Sequence, residues 1–165
     1  MASKQDPERA KIQKWLEEFH AASATLSASH WCNNFFSPSI VLQFGNNPPV
    51  QGLESVRDTF FPPQLARLDL MEHYVEYFDY VAPRIYQAAR IKYRVKGDDP
   101  SGKADVEIPG FATFYVRERG EDDGALGDGA NTGGLICYRM ETFIDTRPLE
   151  KRMQEVLEGN EGKGD

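Results

Sequence analysis

The chain has 165 residues, of which 40% are hydrophobic and 27% are charged, a composition typical of one globular domain with a buried core. Its net charge of −7 argues against non-specific nucleic-acid binding, which requires a basic surface. No apolar run approaches the roughly 18 residues that a membrane span requires, and the polar N-terminus has no apolar signal-peptide segment. We therefore expect a single domain over residues 1–165, with neither nucleic acid nor membrane as a partner.

The two cysteines, Cys32 and Cys137, are too few for a disulfide framework or a cysteine metal site. Free cysteine is among the most buried residue types, and reduced thiols persist in the cytoplasm. The sequence therefore predicts two buried or half-buried, reduced thiols and a cytoplasmic location. We expect neither a metal nor an organic cofactor.

The N-terminal part predicts helices around one short strand. Asp6-Pro7-Glu8 is typical of a helix start, with an N-cap aspartate and a proline at the first helical position. A helix is predicted over residues 7–24 because apolar residues recur with helical spacing. They are Ile12, Trp15, Leu16 and Phe19. A short second helix and a strand over residues 39–44 follow, and then a third helix over residues 52–61 that ends at Pro62-Pro63.

The sequence pattern of residues 68–96 predicts a hairpin of two long strands joined at residues 81–84. Because side chains alternate between the faces of a strand, the hairpin has two chemically distinct surfaces. The outer face sets acidic residues opposite basic ones, namely Glu72, Glu76, Arg90, Lys92, Arg94 and Lys96. The inner face is expected to carry Met71, His73, Val75, Tyr77, Gln87, Ala89, Ile91 and Tyr93. This inner face is unusually polar for a core, which indicates a pocket.

The C-terminal part contains two more predicted strands, residues 106–117 and 135–145, and a final helix. The acidic, glycine-rich stretch at residues 119–134 is predicted to be a mobile loop, and residues 1–5 and 159–165 are predicted to be disordered tails. Helices precede a run of long strands, so the expected fold class is α+β. We expect a curved antiparallel sheet wrapped over the long N-terminal helix.

Several local strings, taken in order, resemble the SnoaL-like branch of the NTF2-like superfamily. They are Trp31 followed by Phe35-Phe36-Ser37-Pro38, the turn Phe44-Gly45-Asn46-Asn47-Pro48-Pro49-Val50-Gln51-Gly52, the strand string Glu72-His73-Tyr74-Val75, and the closing Phe143-Ile144-Asp145-Thr146-Arg147-Pro148-Leu149. The resemblance covers roughly residues 8–150, and the turn string is similar to fungal members. It implies a cone-shaped α+β barrel with one open mouth, an interior pocket, and a homodimer through the outer face of the sheet.

Comparison with two enzymes of that superfamily is mixed. Scytalone dehydratase has a catalytic histidine in a similar strand string, so the resemblance implies a catalytic role for His73. Phe44 stands where the dehydratase has a water-positioning tyrosine, and Leu26-Ser27 where it has a Tyr-Asp pair, so its reaction is not transferred. Limonene epoxide hydrolase requires an Asp-Arg-Asp set, for which the last strand offers Arg139, Glu141 and Asp145.

Three residues are candidate catalytic groups. His73 is the first, because neutral imidazole exchanges a proton near pH 7; the alternative is a core histidine held by a hydrogen bond. Tyr93 is a candidate partner from the same face. Glu141 suits a general acid or base if it faces the cavity, because burial raises the pKa of a carboxyl group. Simple patterning instead turns Glu141 outward with Arg139, and it makes Asp145 a helix cap.

The candidate ligand-binding residues supply aromatic walls, tyrosine hydroxyls and one amide. They are Trp31, Phe36, Phe44, Asn46, Phe60, Tyr77, Phe111, Tyr115 and Tyr138. Core packing explains the tryptophan and phenylalanines equally well, strand propensity explains the tyrosines, and a turn position explains Asn46.

The resemblance and the polar inner face together predict a cofactor-independent enzyme of secondary metabolism. Its substrate would be a small apolar or aromatic molecule, polyketide- or terpenoid-like, and its reaction a dehydration, cyclisation or isomerisation. The alternative is a non-catalytic NTF2-like dimer that carries a ligand or serves in assembly, since one fold hosts many functions. A sealed His73 with no second titratable group nearby would favour that alternative.

Overall fold

The computed structural model describes residues 6–124 and 132–161. The predicted tail residues 1–5 and 162–165, and residues 125–131 of the predicted loop, lie outside the described residues.

Helices and strands in the described ranges form an α+β fold. The elements in chain order are α1 (Pro7–Ala24), α2 (Ala28–Phe35), β1 (Phe36–Phe44), β2 (Val50–Gln51), α3 (Phe61–Leu65), β3 (Leu68–Val81), β4 (Arg84–Val95), β5 (Val106–Glu118), β6 (Leu135–Ile144) and α4 (Arg147–Glu161). A π-helical segment, Ser55–Phe60, leads into α3, and a 3₁₀ turn, Glu121–Asp123, follows β5.

The long helix α1 has the predicted bounds and forms the centre of the core. The carboxylate of Asp6 accepts a hydrogen bond from the backbone N–H of Glu8 at 3.0 Å and so caps the helix. Trp15 and Phe19 are at most 1% exposed. Their rings contact Phe114 of β5 edge-on, with centroids 5.4 and 5.0 Å apart, which fixes α1 against the inner face of the sheet.

The prediction that Pro62-Pro63 ends a helix is wrong. The two prolines lie in the first turn of α3, which runs on to Leu65. Proline is tolerated there because the first N–H groups of a helix have no intrahelical acceptor.

The strands form one six-stranded sheet in the order β2-β1-β6-β5-β4-β3. Strands β3 to β6 are the predicted antiparallel meander, with each strand paired to the next. Strand β1 adds to β6 in parallel, with Leu42 opposite Met140. The meander and α1 together enclose one side of a cavity.

Two β-bulges change which side chains face inward. In β3, Val75 pairs with Ala89 and Tyr77 with Ala88, so Glu76 is the extra residue. In β6, Cys137 pairs with Val116 and Arg139 with Tyr115, so the extra residue is Tyr138. Each extra residue reverses the alternation of faces beyond it.

Ion pairs hold the segment after β5 and helix α4 in place. The Arg117 guanidinium contacts the Asp123 carboxylate at 2.6 and 2.7 Å, and this contact orders the start of the predicted loop. In α4, the Arg152 Nε donates to Asp98 Oδ2 at 2.7 Å. Helix α4 extends to Glu161, three residues into the segment expected to be a tail.

The cysteines are free and buried, as predicted. Burial raises the pKa of the Cys32 and Cys137 thiols to about 12, so both are protonated at neutral pH. Among the described helices, none is long and apolar enough to cross a membrane.

Candidate functional site

A cavity of about 460 Å³ lies between α1, the inner face of the sheet, α3 and α4. Its size is within the range of small-molecule pockets. Most of its wall is apolar and comes from every layer of the fold. The apolar wall residues include Phe19, Trp31, Leu42, Phe44, Phe60, Phe61, Met71, Ile91, Phe114, Met140, Ile144, Leu149 and Met153.

A cluster of three polar side chains, His20, His73 and Gln87, interrupts this apolar wall. The imidazole of His20 on α1 stacks on that of His73 on β3, with ring centroids 4.4 Å apart and planes 20° apart. The Nε2 of His20 donates a hydrogen bond to the Oε1 of Gln87 on β4 at 2.8 Å. Helix α1 therefore joins two strands of the sheet through one polar cluster.

Both histidines of the cluster are neutral at pH 7. Burial lowers the pKa of His20 to about 4, although the hydrogen bond to Gln87 opposes this effect. Burial also lowers the pKa of His73 well below its usual value, and the neighbouring His20 lowers it further. The Nδ1 atoms of both rings are sealed from solvent and have no partner among the described residues. The cluster therefore carries no positive charge at neutral pH. Because the His20 Nε2 donates to Gln87, the Nε2 of His73 is the ring nitrogen left to accept a proton or a hydrogen bond from a bound molecule.

Other polar atoms in the wall are also uncharged. Burial raises the pKa of Tyr93 to about 12, so its hydroxyl stays protonated and can donate a hydrogen bond. The Thr142 Oγ1 and the Trp31 Nε1 are sealed without a partner among the described residues. A site with this lining suits an apolar molecule with a few neutral polar groups.

The charged residues that line the cavity in the described part of the chain are Arg67 and Glu150, both exposed. Asn47, Gln64 and Thr146 complete this polar rim, and the Thr146 hydroxyl donates to Glu150 Oε1 at 2.7 Å. The rim marks the mouth of the cavity. The wall therefore changes from charged at the solvent side to neutral at the histidine cluster.

Several sequence-predicted residues do line the cavity. They are His73, Tyr93, Trp31, Phe44, Phe60 and Phe111. Phe111 borders the cavity only at its edge, because strand alternation places its side chain on the outer face, where 36% of it is exposed.

The bulges account for two wrong placements, Tyr77 and Tyr138. Tyr77 follows the extra residue Glu76, so it lies on the outer face and is 58% exposed. Tyr138 is itself the extra residue of β6, and its ring contacts that of Tyr115 at 6.1 Å on the outer face. Neither residue lines the cavity.

Glu141 and Tyr115 are also on the outer face, so their predicted roles in the cavity are wrong. The Glu141 Oε1 accepts hydrogen bonds from Arg139 Nε at 2.7 Å and from the Tyr115 hydroxyl at 3.3 Å. Simple patterning is correct here, because a charged pair is easier to hydrate outside the core. Asp145 caps the start of α4, where its carboxylate accepts the Arg147 backbone N–H at 3.1 Å.

The remaining two predicted ligand-binding residues, Phe36 and Asn46, do not line the cavity, for different reasons. Phe36 is 0% exposed and packs within the core against Phe19 and Trp31. Asn46 is exposed in the turn after β1, and Asn47 lines the mouth in its place. The Asn47 side chain donates to the Phe44 carbonyl at 3.0 Å, so the turn itself decides which asparagine faces the cavity.

Comparisons with known proteins give structural matches alone. No protein-family model matches the sequence, and the comparison with curated proteins gives no match. A protein assigned as a SnoaL-like polyketide cyclase from Jannaschia sp. CCS1 is similar, with a TM-score of 0.63 and 17% identity over 92% of this chain and 97% of that one. An NTF2-like protein of Burkholderia pseudomallei K96243 matches with a TM-score of 0.60 and 9% identity over 86% of this chain and 95% of that one.

The chain has the NTF2-like fold. Two further structures with this fold are named for their chemistry or ligand. An LEH-like epoxide hydrolase of Mycobacterium tuberculosis matches with a TM-score of 0.59 and 11% identity, over 92% of this chain and 95% of that one. TerC, co-crystallised with polyporic acid, matches with a TM-score of 0.58 and 12% identity, over 87% of this chain and 98% of that one.

His20 is a residue of this site that sequence reasoning missed. It follows Leu16 by four residues and therefore lies on the buried face of α1. The helical spacing that identified Ile12 and Leu16 extends to His20, so the signal was present in the sequence. Within residues 6–124 and 132–161, no group of three or more His, Cys, Asp or Glu side chains has the arrangement of a metal site.

Proposed function

We propose that this chain is a small-molecule enzyme of the SnoaL-like type that performs acid–base chemistry without a cofactor. The observation that supports it is an apolar cavity whose wall contains two stacked neutral histidines. A neutral imidazole has a lone pair that can accept a proton from a bound molecule. Dehydration, cyclisation and isomerisation all require such a transfer.

His73 and Tyr93 are the proposed reacting pair. Both face the cavity from the hairpin β3–β4, where His73 pairs with Ile91 and Met71 pairs with Tyr93. The two side chains are thus diagonal neighbours, roughly 7–8 Å apart at their backbones. In this proposal His73 takes a proton from the substrate, and the Tyr93 hydroxyl donates a hydrogen bond to a substrate oxygen.

We propose an apolar or aromatic substrate of polyketide or terpenoid type. The apolar wall supports this class, and so do the names of similar structures, a polyketide cyclase and a complex with polyporic acid. A place in secondary metabolism belongs to the same proposal. The buried thiols of Cys32 and Cys137 favour a reducing compartment, so we propose a cytoplasmic location.

Ligand binding is tested with polyporic acid as the probe in a calorimetric titration. The variant Ala89→Trp fills the cavity, because Ala89 is 3% exposed and lines its wall. The control Ala21→Trp adds the same side chain to the exposed face of α1. We expect Ala89→Trp to abolish binding and Ala21→Trp to retain it; equal binding by both variants would exclude the cavity as the site.

Catalysis is tested by incubating the wild type and His73→Ala with aromatic polyketides and following product formation by mass spectrometry. We expect turnover by the wild type and a loss of about 10²-fold or more in the variant. Equal turnover by both proteins would exclude His73 as the acid–base group.

The second candidate is a non-catalytic ligand-binding module. The absence of a charged group near the histidines in the described wall favours it, because binding alone requires no strong acid or base. It predicts reversible binding of the same probe by the wild type and no product for any compound tested. The placement of His73 in the cavity wall beside a second titratable group, His20, favours the enzyme instead.

We also propose a homodimer through the outer face of the sheet. Register places Tyr77, Ala88, Phe111 and Phe143 in one row across strands β3 to β6. The three aromatic members are 58%, 36% and 48% exposed, which leaves an apolar row open to solvent. The ion pairs Arg90–Glu76 and Arg139–Glu141 flank the row with charges of both signs, which suits a partner of the same sequence.

A further inference from the structure

One donor of the polar cluster, the amide nitrogen of Gln87, has no acceptor among the described protein groups. The Oε1 of Gln87 accepts the hydrogen bond from His20, and no described residue accepts one from the Gln87 amide nitrogen. Gln87 is 3% exposed and lines the cavity. A buried amide N–H₂ without a partner is costly unless a ligand or water satisfies it.

The residues around Gln87 fix the orientation of its side-chain amide. Its cross-strand neighbours are Phe78 on β3 and Ala112 on β5, whose side chains accept no hydrogen bond. The hydrogen bond from His20 fixes the amide plane, since His20 is itself held by stacking on His73. The amide nitrogen can therefore donate a hydrogen bond only towards the cavity.

We propose that Gln87 donates a hydrogen bond to a carbonyl oxygen of the bound molecule, and that His20 is a positioning residue that holds the amide in this orientation. The inference rests on the proposed function, because it requires that the cavity bind an apolar molecule. It narrows the substrate class to ketones and quinones. A donor already oriented at an oxygen needs little rearrangement when negative charge develops there.

The test compares two probes, 1-tetralone and tetralin, which differ in one carbonyl group. We expect the wild type to bind 1-tetralone roughly 3- to 10-fold more tightly, the effect of one net hydrogen bond. The substitutions Gln87→Met and His20→Phe should remove this preference while tetralin still binds. Gln154→Met is the matched control, because Gln154 is exposed on α4 and lies outside the cavity; it should leave both affinities unchanged.

Two spectroscopic measurements on the wild type give the same information without a variant. The infrared carbonyl band of bound 1-tetralone should shift to lower frequency, and the ¹⁵N spectrum of His20 should show the proton on Nε2. A His20 proton on Nδ1, an unshifted carbonyl band, or a ketone preference that survives in a folded Gln87→Met variant would overturn the proposal. Binding of both probes with equal affinity would overturn this inference alone, whereas binding of neither would also overturn the proposed cavity.

Discussion

The chemistry of this site depends on which protons its buried side chains hold. Two imidazoles stack at 4.4 Å, and such proximity is tolerated because neither ring is charged at neutral pH. A positive charge on either ring would lose its hydration and would repel the other. The same burial that makes His73 available as an acceptor therefore makes the fold sensitive to acid.

Acid should destabilise the protein through His20. Its pKa is about 4 in the folded state against the ordinary value of 6.5, so the unfolded chain binds a proton first as the pH falls. The contribution of His20 to the free energy of unfolding is fully present above pH 6.5. It falls by about 3 kcal/mol as the pH drops from 6.5 to about 4. Urea unfolding at several pH values measures how the free energy of unfolding depends on pH. This dependence should be weaker in His20→Gln than in the wild type. His30→Gln, at an exposed position, should retain the wild-type slope; equal slopes in both variants would contradict the prediction.

Thr142 should tolerate the loss of its hydroxyl. The Oγ1 is sealed without a partner in the described residues, and the side chain is 9% exposed. Replacing it by the isosteric methyl of valine removes an unsatisfied polar atom, so Thr142→Val should raise the free energy of unfolding by about 1 kcal/mol. Thr142→Ser keeps the hydroxyl and loses a methyl group, so it should destabilise. Chemical denaturation distinguishes the two, and a destabilised Thr142→Val would show that the hydroxyl has a partner.

At the scale of elements, the cavity-facing residues were predicted correctly only where a strand alternates regularly. Strand β4 has no bulge, and the alternation read from its sequence placed Gln87 and Tyr93 in the cavity wall. Strands β3 and β6 each contain an extra residue, so Tyr77 and Tyr138 were assigned to the wrong face. A bulge depends on pairing with a distant strand, which no local pattern reports.

Helix α4 closes one side of the cavity mouth, and one ion pair attaches it to the loop after β4. The Asp98 side chain is 4% exposed and its partner Arg152 is 29% exposed, whereas Lys151 beside it is 80% exposed. Arg152→Met removes the guanidinium partner of this carboxylate, which keeps the Asp99 backbone N–H as a donor, and should lower the free energy of unfolding by about 1–3 kcal/mol. Lys151→Met should change it by less than about 0.5 kcal/mol. Denaturation of both variants measures the difference, and hydrogen exchange should show faster opening of α4 only in Arg152→Met.

At the scale of the whole molecule, the fold was predictable from the order of the helices and strands. The capped helix at residues 7–24 and the run of long strands were enough to predict a sheet wrapped over α1. The parallel pairing of β1 with β6 was not predictable, because it joins segments about a hundred residues apart. The two faces of this one sheet also differ in use: the inner face lines the cavity, and the outer face exposes an aromatic row.

The outer row should control self-association. If two copies meet there, Phe143→Glu places a charge against the partner's apolar row and should shift the protein to a monomer. Phe143 is 48% exposed, so the substitution should not unfold the chain. Leu157→Glu is the matched control, since Leu157 is 54% exposed on α4 and not on the sheet. Sedimentation equilibrium at several concentrations should give a dimer for the wild type and Leu157→Glu. A monomeric wild type, or a dimer that persists in Phe143→Glu, would exclude this face as the interface.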